Sequence, residues 1–395
     1  MLLTIEDALA DQALIELLVK YRRIFHKHPE LGHEEWATSE FIEAELRQLN
    51  GLYVWRPAST SVAALLSPVG ATQPAVIFRA DIDALPIHEE TGRHYSSERP
   101  GIMHGCGHDG HAAALVATAR LLSQSVDQLR RPIMFVFQQA EEKHPSGAPM
   151  VLDSIKTALG LRMTDATVFG FHLWPELPEG IVGLRAGTLM GSVVGVTIRL
   201  TRRESPSLER FQGADALWAA ADLHLSLRPL LKGRRLTDES RASLLLGSLN
   251  AGVTPQEPAA EALLRGTLRA TTDEDEAEAV AMIRMLADRV ADRYLLRCET
   301  TIETGIRPVV LNEIGAVQRL RDACDLSGLT KLDYPDDPMG VSEDFGWYLK
   351  IWHGAYFLVG CGSDSAHHHL HSPEFDFREE VLVTPVVVMT TLARS

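Results

Sequence analysis

The spacing of apolar residues predicts alternating helices and strands in the first half of the chain. Apolar positions recur at helical spacing over 4–26 and 36–49, which indicates two amphipathic helices. Three short apolar runs predict buried strands instead, namely AVIFRA (75–80), PIMFVFQQ (132–139) and ATVFGFH (166–172). The alanine-rich stretch GHAAALVATARLL, between the first two runs, predicts a helix. This order of elements is typical of an α/β fold with a mostly parallel sheet.

The pattern changes after residue 187, which predicts an inserted domain. Strand, helix, strand and helix patterns follow one another in VVGVTIRL, GADALWAAADLHLSL, EALLRGTLRAT and DEDEAEAVAMIRMLADRVADRY. A unit of this size and order is typical of a small α+β domain. After residue 305 a helical pattern returns, and AYFLVGC is a further buried strand. We therefore predict one domain built from 1–187 and 306–395, interrupted by a smaller α+β domain over 188–305.

Composition and charge narrow the range of functions. The chain has 395 residues, of which 45% are hydrophobic and 23% charged, and its net charge is −15. The acidic balance argues against a nucleic-acid partner, because phosphates require a basic surface. No stretch approaches the ~20 apolar residues of a membrane span, and the N-terminal helix pattern lacks the features of a secretory signal. Four scattered cysteines predict no disulfide framework. We expect a cytoplasmic protein without a membrane partner.

The densest chemistry lies in GIMHGCGHDGHAAAL, which holds His104, Cys106, His108, Asp109 and His111 just before a predicted helix. A thiolate and an imidazole two residues apart on a loop can bind one cation. The alternative is a buried structural thiol beside surface histidines. The glycines of this stretch also match the dinucleotide fingerprint G-x-G-x-x-G. That fingerprint directly follows a buried strand, however, and SSERPGIMH does not have the pattern of one.

Ionisable residues follow the predicted strands at the ends where ligands bind in open α/β sheets. They are Asp81 and Asp83 after the first strand, Glu141 and Glu142 after the second, and His172 at the end of the third. Adjacent glutamates point in different directions, so one can bind metal while the other holds a proton. Sulfur, nitrogen and carboxylate ligands together suit Zn, Mn, Co, Fe or Ni. Because the set exceeds the four ligands of a structural zinc, we predict a catalytic centre, with two metals as one form of it.

Sequence motifs of other mechanisms are absent. The chain contains no G-x-S-x-G, no H-E-x-x-H, no Walker loop and no deaminase signature. Metal-assisted hydrolysis is the mechanism that these exclusions leave.

His26, His28 and His33 in FHKHPELGHEE lie around a predicted helix end, and we expect surface roles for them.

These segments together resemble the metal-dependent N-acyl-amino-acid amidohydrolases, the hippurate and auxin-conjugate hydrolases of the aminoacylase and carboxypeptidase group. The resemblance runs nearly end to end and includes RRIFHKHPELGHEEWATSEFI, FRADIDALPIHEETG, MHGCGHDGHAAALVATARLL, QQAEE, GFHLWPELPEGIVGLRAG, LRGTLRATTDE, MGVSEDFGWYL and LHSPEFDFREE. It implies an α/β catalytic domain with two metals and an inserted α+β lid domain that often carries a dimer contact.

The resemblance also implies roles for single residues. The implied metal ligands are Cys106, His108, Glu142, His172 and His371. The LHSPEF match selects His371 from the four histidines of SAHHHLHSPEF. Glu141 is the implied general base, and Asp83, supported by Asp81, is the implied carboxylate that orients the ligands. The implied reaction is hydrolysis of a small N-acyl amino acid by metal-activated water, with Mn, Zn, Co or Ni as the metal.

The predicted lid departs from the family pattern. LTRRESPSLERFQGAD stands where relatives carry GGH followed by a proline, and TPQEPA puts Gln256 where an asparagine is usual. Arg202, Arg203 and Arg210 are candidates for anion contacts, against the alternative of a solvated strand end. Recognition of the substrate carboxylate and a homodimer contact therefore stay open. Two other functions also stay open: a dipeptidase with the same metals, and a silent metal-binding relative, although the retained Glu141 argues against the second.

Overall fold

The structure of the protein is a computed structural model that describes residues 3–72, 74–159, 165–203, 214–231, 241–334, 340–362 and 369–395. In chain order its helices are α1 (Ile5–Ala10), α2 (Gln12–Lys27), α3 (Trp36–Arg47), α4 (His108–Ser123), α5 (Ala148–Leu159), α6 (Ala216–Ser226), α7 (Asp273–Arg293), α8 (Ile314–Ser327), α9 (Gly346–Leu349) and α10 (Val383–Arg394). Its strands are β1 (Leu52–Trp55), β2 (Val62–Leu66), β3 (Val76–Asp81), β4 (Ile133–Gln138), β5 (Thr167–Pro178), β6 (Val182–Leu184), β7 (Gly187–Met190), β8 (Val193–Arg202), β9 (Ala242–Ala251), β10 (Glu261–Ala270), β11 (Leu296–Arg307), β12 (Val310–Asn312), β13 (Lys331–Asp333) and β14 (His353–Gly362).

The chain divides into two compact units. The first holds the described residues within Met1–Gly187, Leu311–Tyr334 and Asp344–Ser395, and the second those within Thr188–Val310 and Pro335–Glu343. The roles of catalytic and lid domain stay predictions for these units.

The first unit is built on an eight-stranded sheet in the order β1-β2-β4-β3-β5-β14-β6-β13. Its central strands β4, β3, β5 and β14 run parallel, and antiparallel pairs lie on either side of them. Strands β3 and β4 are buried at every position, so their sequences are continuous apolar runs rather than alternating ones. Helix α4 is buried along nearly its whole length and packs against β3, α2 and α10. The predicted fold class is confirmed.

The strand register brings the chemistry to one edge of this sheet. Asp81 ends β3 directly opposite Gln138, which ends β4. Because the two strands are parallel, the segments that follow them leave from the same edge. Helix α4, which carries His108, begins directly after Gly107, whose φ of 84° is readily adopted only by glycine.

The second unit contains an antiparallel sheet in the order β11-β8-β10-β9. Buried and part-buried positions alternate along β8, as expected for a sheet with one face on a core. Helices α6 and α7 pack against this sheet and against each other. Four acidic residues occupy the first turn of α7, where they complement the helix dipole. Among the described residues of the whole chain, none of the helices combines the length and apolar content that crossing a membrane requires.

Candidate metal centre

Potential ligand atoms from four separate stretches of the first unit meet at the carboxyl edge of its sheet. Three overlapping trios have ligand atoms within 4.8 Å of one another: Cys106, His108 and His172; Cys106, Glu142 and His371; and His108, Glu141 and Glu142. Cys106 Sγ lies 3.4 Å from His172 Nε2, and His371 Nε2 lies 3.0 Å from Glu142 Oε1. The structure therefore brings together the five predicted ligands and the predicted base.

The histidine rings are oriented to present nitrogen lone pairs to this cluster. The Nδ1 of His108 donates to the main-chain oxygen of Asp83 at 2.9 Å, and the Nδ1 of His172 donates to the main-chain oxygen of Leu173 at 2.7 Å. Since a carbonyl oxygen only accepts, each Nδ1 carries a hydrogen, and in the neutral form of each ring Nε2 keeps a lone pair. Among the described residues, the buried Nε2 of His108 finds no hydrogen-bond partner. This arrangement fits a metal ion.

The protonation of the cluster is compatible with a bound cation. Burial and the nearby Glu142 raise the pKa of the Cys106 thiol well above its ordinary value. Burial lowers the pKa of His172 to about 3, so its imidazole is neutral, as a metal ligand must be. Although burial acts to lower the pKa of His108, Asp81 and Asp83 raise it well above its ordinary value. A bound cation would take the place of the proton that this raised pKa keeps on His108, and it would favour the thiolate form of Cys106.

Asp83 holds two of the candidate ligands at once. Its Oδ2 accepts the main-chain N–H of Glu142 at 2.9 Å, and its main-chain oxygen accepts from His108. The side chain is 1% exposed. These contacts fit the orienting role that the resemblance implies for this residue.

A buried hydrogen-bond network around Asp81 was only partly predicted from the sequence. Asp81 accepts from Arg79 and from His111 Nδ1, each at 2.6 Å. His111 Nε2 in turn accepts the main-chain N–H of Leu173 at 3.0 Å, which fixes the strand beside His172. Burial acts to raise the pKa of Asp81, but His108 and Arg79 hold it well below its ordinary value. The one available signal for Arg79 was a charged residue inside the apolar run AVIFRA.

The expected surface role is wrong for His26, which is 1% exposed. Its Nδ1 lies 2.7 Å from Asp109 Oδ2, and Arg22 Nε donates to the same oxygen at 2.9 Å. Asp109 directly follows His108, so this buried ion network supports the start of α4. His28 is exposed and His33 is partly buried.

The structure describes some of the other residues singled out in the sequence. Gln256 is exposed in the loop between β9 and β10 of the second unit. Arg202 donates to the main-chain oxygen of Pro258 at 2.7 Å, and Arg203 pairs with Asp292 at 2.7 Å. Arg210, His367 and His368 lie outside the described residues. His369 has an 80% exposed side chain.

Comparisons with known proteins define the class to which this fold and site belong. Residues 77–395 match the family model described as Peptidase family M20/M25/M40. An N-acetyl-L-cysteine deacetylase of Bacillus subtilis is 30% identical over 93% of this chain and 85% of that protein. An N-acyl-L-amino acid amidohydrolase of Geobacillus stearothermophilus is 32% identical over 74% of this chain and 77% of that protein. The chain belongs to the M20/M25/M40 peptidase family, and it is a hydrolase that acts on carbon–nitrogen bonds.

Solved structures agree with this assignment. A Bacillus subtilis protein described as a dinuclear metal binding peptidase from the M20 family has a TM-score of 0.83 and 28% identity, covering 97% of this chain and 98% of that one. An aminohydrolase structure from Staphylococcus aureus has a TM-score of 0.88, covers 99% and 98% of the two chains, and at 22% identity supports the fold alone. The predicted family is confirmed.

Proposed function

We propose that the protein is a metal-dependent amidohydrolase that cleaves the linear amide bond of an N-acyl amino acid. Two relatives, an N-acetyl-L-cysteine deacetylase and an N-acyl-L-amino acid amidohydrolase, support this substrate class. The observation that carries the proposal is a 3% exposed Glu141 whose carboxylate lies within 4.8 Å of ligand atoms from His108 and Glu142. A protein that only bound metal would need no second carboxylate there.

We assign the ligand roles to Cys106, His108, Glu142, His172 and His371, with Asp83 as the residue that orients two of them. The mixed sulfur, nitrogen and oxygen donors suit two divalent ions drawn from Mn, Zn, Co and Ni. When bound, such ions supply Lewis-acid polarisation of the amide carbonyl and lower the pKa of water. Glu141 takes a proton from water on the attacking side and delivers it to the leaving amine.

We further propose that the second unit acts as the lid domain, with Gln256 and Arg210 as the candidate substrate contacts. Cytoplasmic location and a homodimer stay predictions of the sequence.

The test is a hydrolysis panel of N-acyl amino acids beside dipeptides with free amino termini. Protein of known metal content is assayed as purified, after chelation, and after reloading with Mn²⁺ or Zn²⁺. We expect the N-acyl amino acids to be cleaved in the metal-loaded states. Preference for the dipeptides would establish a dipeptidase instead, and inactivity in every metal-loaded state would refute the enzyme.

Glu141→Gln tests the base separately. This variant keeps the size and polarity of the side chain but loses its basicity, so we expect kcat to fall about 10²–10⁴-fold. Metal content should stay that of the wild type. Wild-type turnover with metals bound would refute the assignment of the base.

A further inference from the structure

The turn that carries Glu141 and Glu142 contains an unusual backbone conformation. Ala140, the residue before them, has a φ of +49°. This left-handed region costs a non-glycine residue free energy, so the surrounding structure must hold it. Ala140 is fully buried, and what holds it in place therefore lies within the first unit.

We propose that Glu35 is a positioning residue that holds this turn and thereby places Glu141 and Glu142; the inference rests on the proposed function. Glu35 Oε1 accepts the main-chain N–H of Ala140 at 2.7 Å. Its Oε2 accepts the hydroxyl of Thr60 at 2.6 Å. Glu35 is 0% exposed, so solvent does not compete for either contact.

Hydrogen bonds also hold the neighbouring main-chain groups, so losing the Glu35 contact should displace mainly the two glutamates. The main-chain oxygen of Ala140 accepts from Gly147 N at 2.9 Å. The N–H of Gln139 donates to Ser61 Oγ at 3.1 Å. The N–H of Glu142 donates to Asp83. Glu141 therefore sits between two anchored residues, and Glu35 supplies the anchor on its N-terminal side.

The Glu35 carboxyl group lies in an environment that opposes its ionisation. Burial and the nearby Asp83 raise its pKa to about 7, against the hydrogen bonds from Thr60 and Ala140. A buried carboxyl group is costly unless its hydrogen bonds serve a purpose. An apolar side chain would fill the same space, but it would leave the N–H of Ala140 without an acceptor.

Replacements of Glu35 in the full-length, metal-loaded protein test this role. Glu35→Gln keeps an acceptor oxygen, so we expect kcat and Zn²⁺ affinity within about threefold of the wild type. Glu35→Leu removes the acceptor; we expect kcat to fall about 10–100-fold with little change in KM. Zn²⁺ affinity, measured by competition with a chromophoric chelator, should fall about 10-fold because Glu142 is displaced. Glu35→Asp keeps the carboxyl group with a shorter reach and should lie between the two.

Glu30 provides a matched control from the same loop. It is also a buried carboxylate that accepts main-chain N–H groups, but those of Ala37 and Thr38 at the start of α3, and it also pairs with Arg99. We expect Glu30→Leu to lower thermal stability while kcat and Zn²⁺ affinity of the folded protein stay within about threefold of wild type. An equal loss of kcat in both leucine variants would overturn the proposal.

Ala140→Gly tests the link to the backbone directly. Glycine adopts the left-handed conformation without strain, so the turn then depends less on Glu35. We expect Glu35→Leu to reduce kcat and Zn²⁺ affinity at least threefold less in the Ala140→Gly background than in the wild type. No relief, or a Glu35→Leu protein with wild-type Zn²⁺ affinity, overturns the proposal. If the wild type hydrolyses nothing in the panel, the proposed function fails, whereas the Zn²⁺ affinities still decide the role of Glu35.

Discussion

His371 differs from the other described histidine of its run in both backbone and contacts. Its φ is +66°, and its N–H donates to the main-chain oxygen of Gly105 at 2.8 Å. This bond ties the C-terminal segment to the loop that carries Cys106, and it brings the imidazole to Glu142. His369 instead faces Glu176 with an 80% exposed side chain. Of the two histidines of the run that the structure describes, the geometry favours the one that the sequence motif selects.

Because of this difference, we expect substitution of His371 and of His369 to have unequal effects on metal affinity and turnover. His371→Ala removes one proposed ligand, whose Nε2 lies 3.0 Å from Glu142 Oε1, so we expect metal affinity and turnover to fall at least ~100-fold. His369→Ala, the matched control two residues away, should leave both within about twofold, since its imidazole lies beside Glu176 and is not grouped with the candidate ligands. Metal content after dialysis and hydrolysis rates measure the two effects. Comparable losses in both variants would place the ligand elsewhere.

At the scale of elements, the position of α4 depends on a close approach at its first turn. A Cβ added to Gly110 would lie 2.8 Å from Phe377, 2.9 Å from Leu382 and 3.0 Å from Leu173. The glycine thus lets the start of α4, with His108, come close to β5 and to the C-terminal segment. Packing thus explains Gly110, the last glycine of the G-x-G-x-x-G pattern in the sequence.

Gly110→Ala should therefore overpack this junction. We expect the free energy of unfolding to fall by about 1–3 kcal/mol, together with a loss of metal affinity as α4 moves. Gly247→Ala is the control, because a Cβ there meets nothing within 4 Å; its unfolding free energy should change by less than about 0.5 kcal/mol. Denaturant unfolding followed by circular dichroism measures both. Equal stability of the two variants would contradict the packing account.

The elements that the sequence predicted well are those with the strongest local signal. AVIFRA and PIMFVFQQ became β3 and β4 within one residue, because strands buried on both faces need continuous apolar runs. Strand β11 was missed, since most of its positions are partly or fully exposed and its sequence is polar. The predicted helix over 4–26 is two helices, because the side chain of Asp11 accepts the N–H of Leu14 and begins a new one.

At the scale of the whole molecule, the candidate site was predictable where strand ends converge and unpredictable where distant segments meet. Parallel strands carry Asp81 and Glu142 to one edge regardless of details. The contact of Glu35 with Ala140 joins residues 105 positions apart, and that of Arg22 with Asp109 joins residues 87 apart. Such pairings leave no local pattern, because Glu35, Arg22 and Asp109 each look like ordinary charged residues in or beside a helix, and Ala140 contributes only its main-chain N–H.

The donor set comes from four separate stretches of the first unit, so bound metal should join segments that chain connectivity does not. Chelation would leave the carboxylates of the site without the countercharge of the cation, and it would remove binding free energy from the folded state alone. At a thousandfold excess of metal over Kd that term is about 4 kcal/mol, which corresponds to a Tm lowered by roughly 5–10 °C.

Calorimetry of the wild type before and after chelation measures this effect. Mn²⁺ or Zn²⁺ should restore the Tm, whereas Ca²⁺ should not, because a thiolate and imidazoles suit transition metals rather than hard cations. His371→Ala provides the internal control, since a weakened site should lose much less stability on chelation. A Tm that stays constant while metal content falls to zero would show that these side chains bind no metal that stabilises the fold.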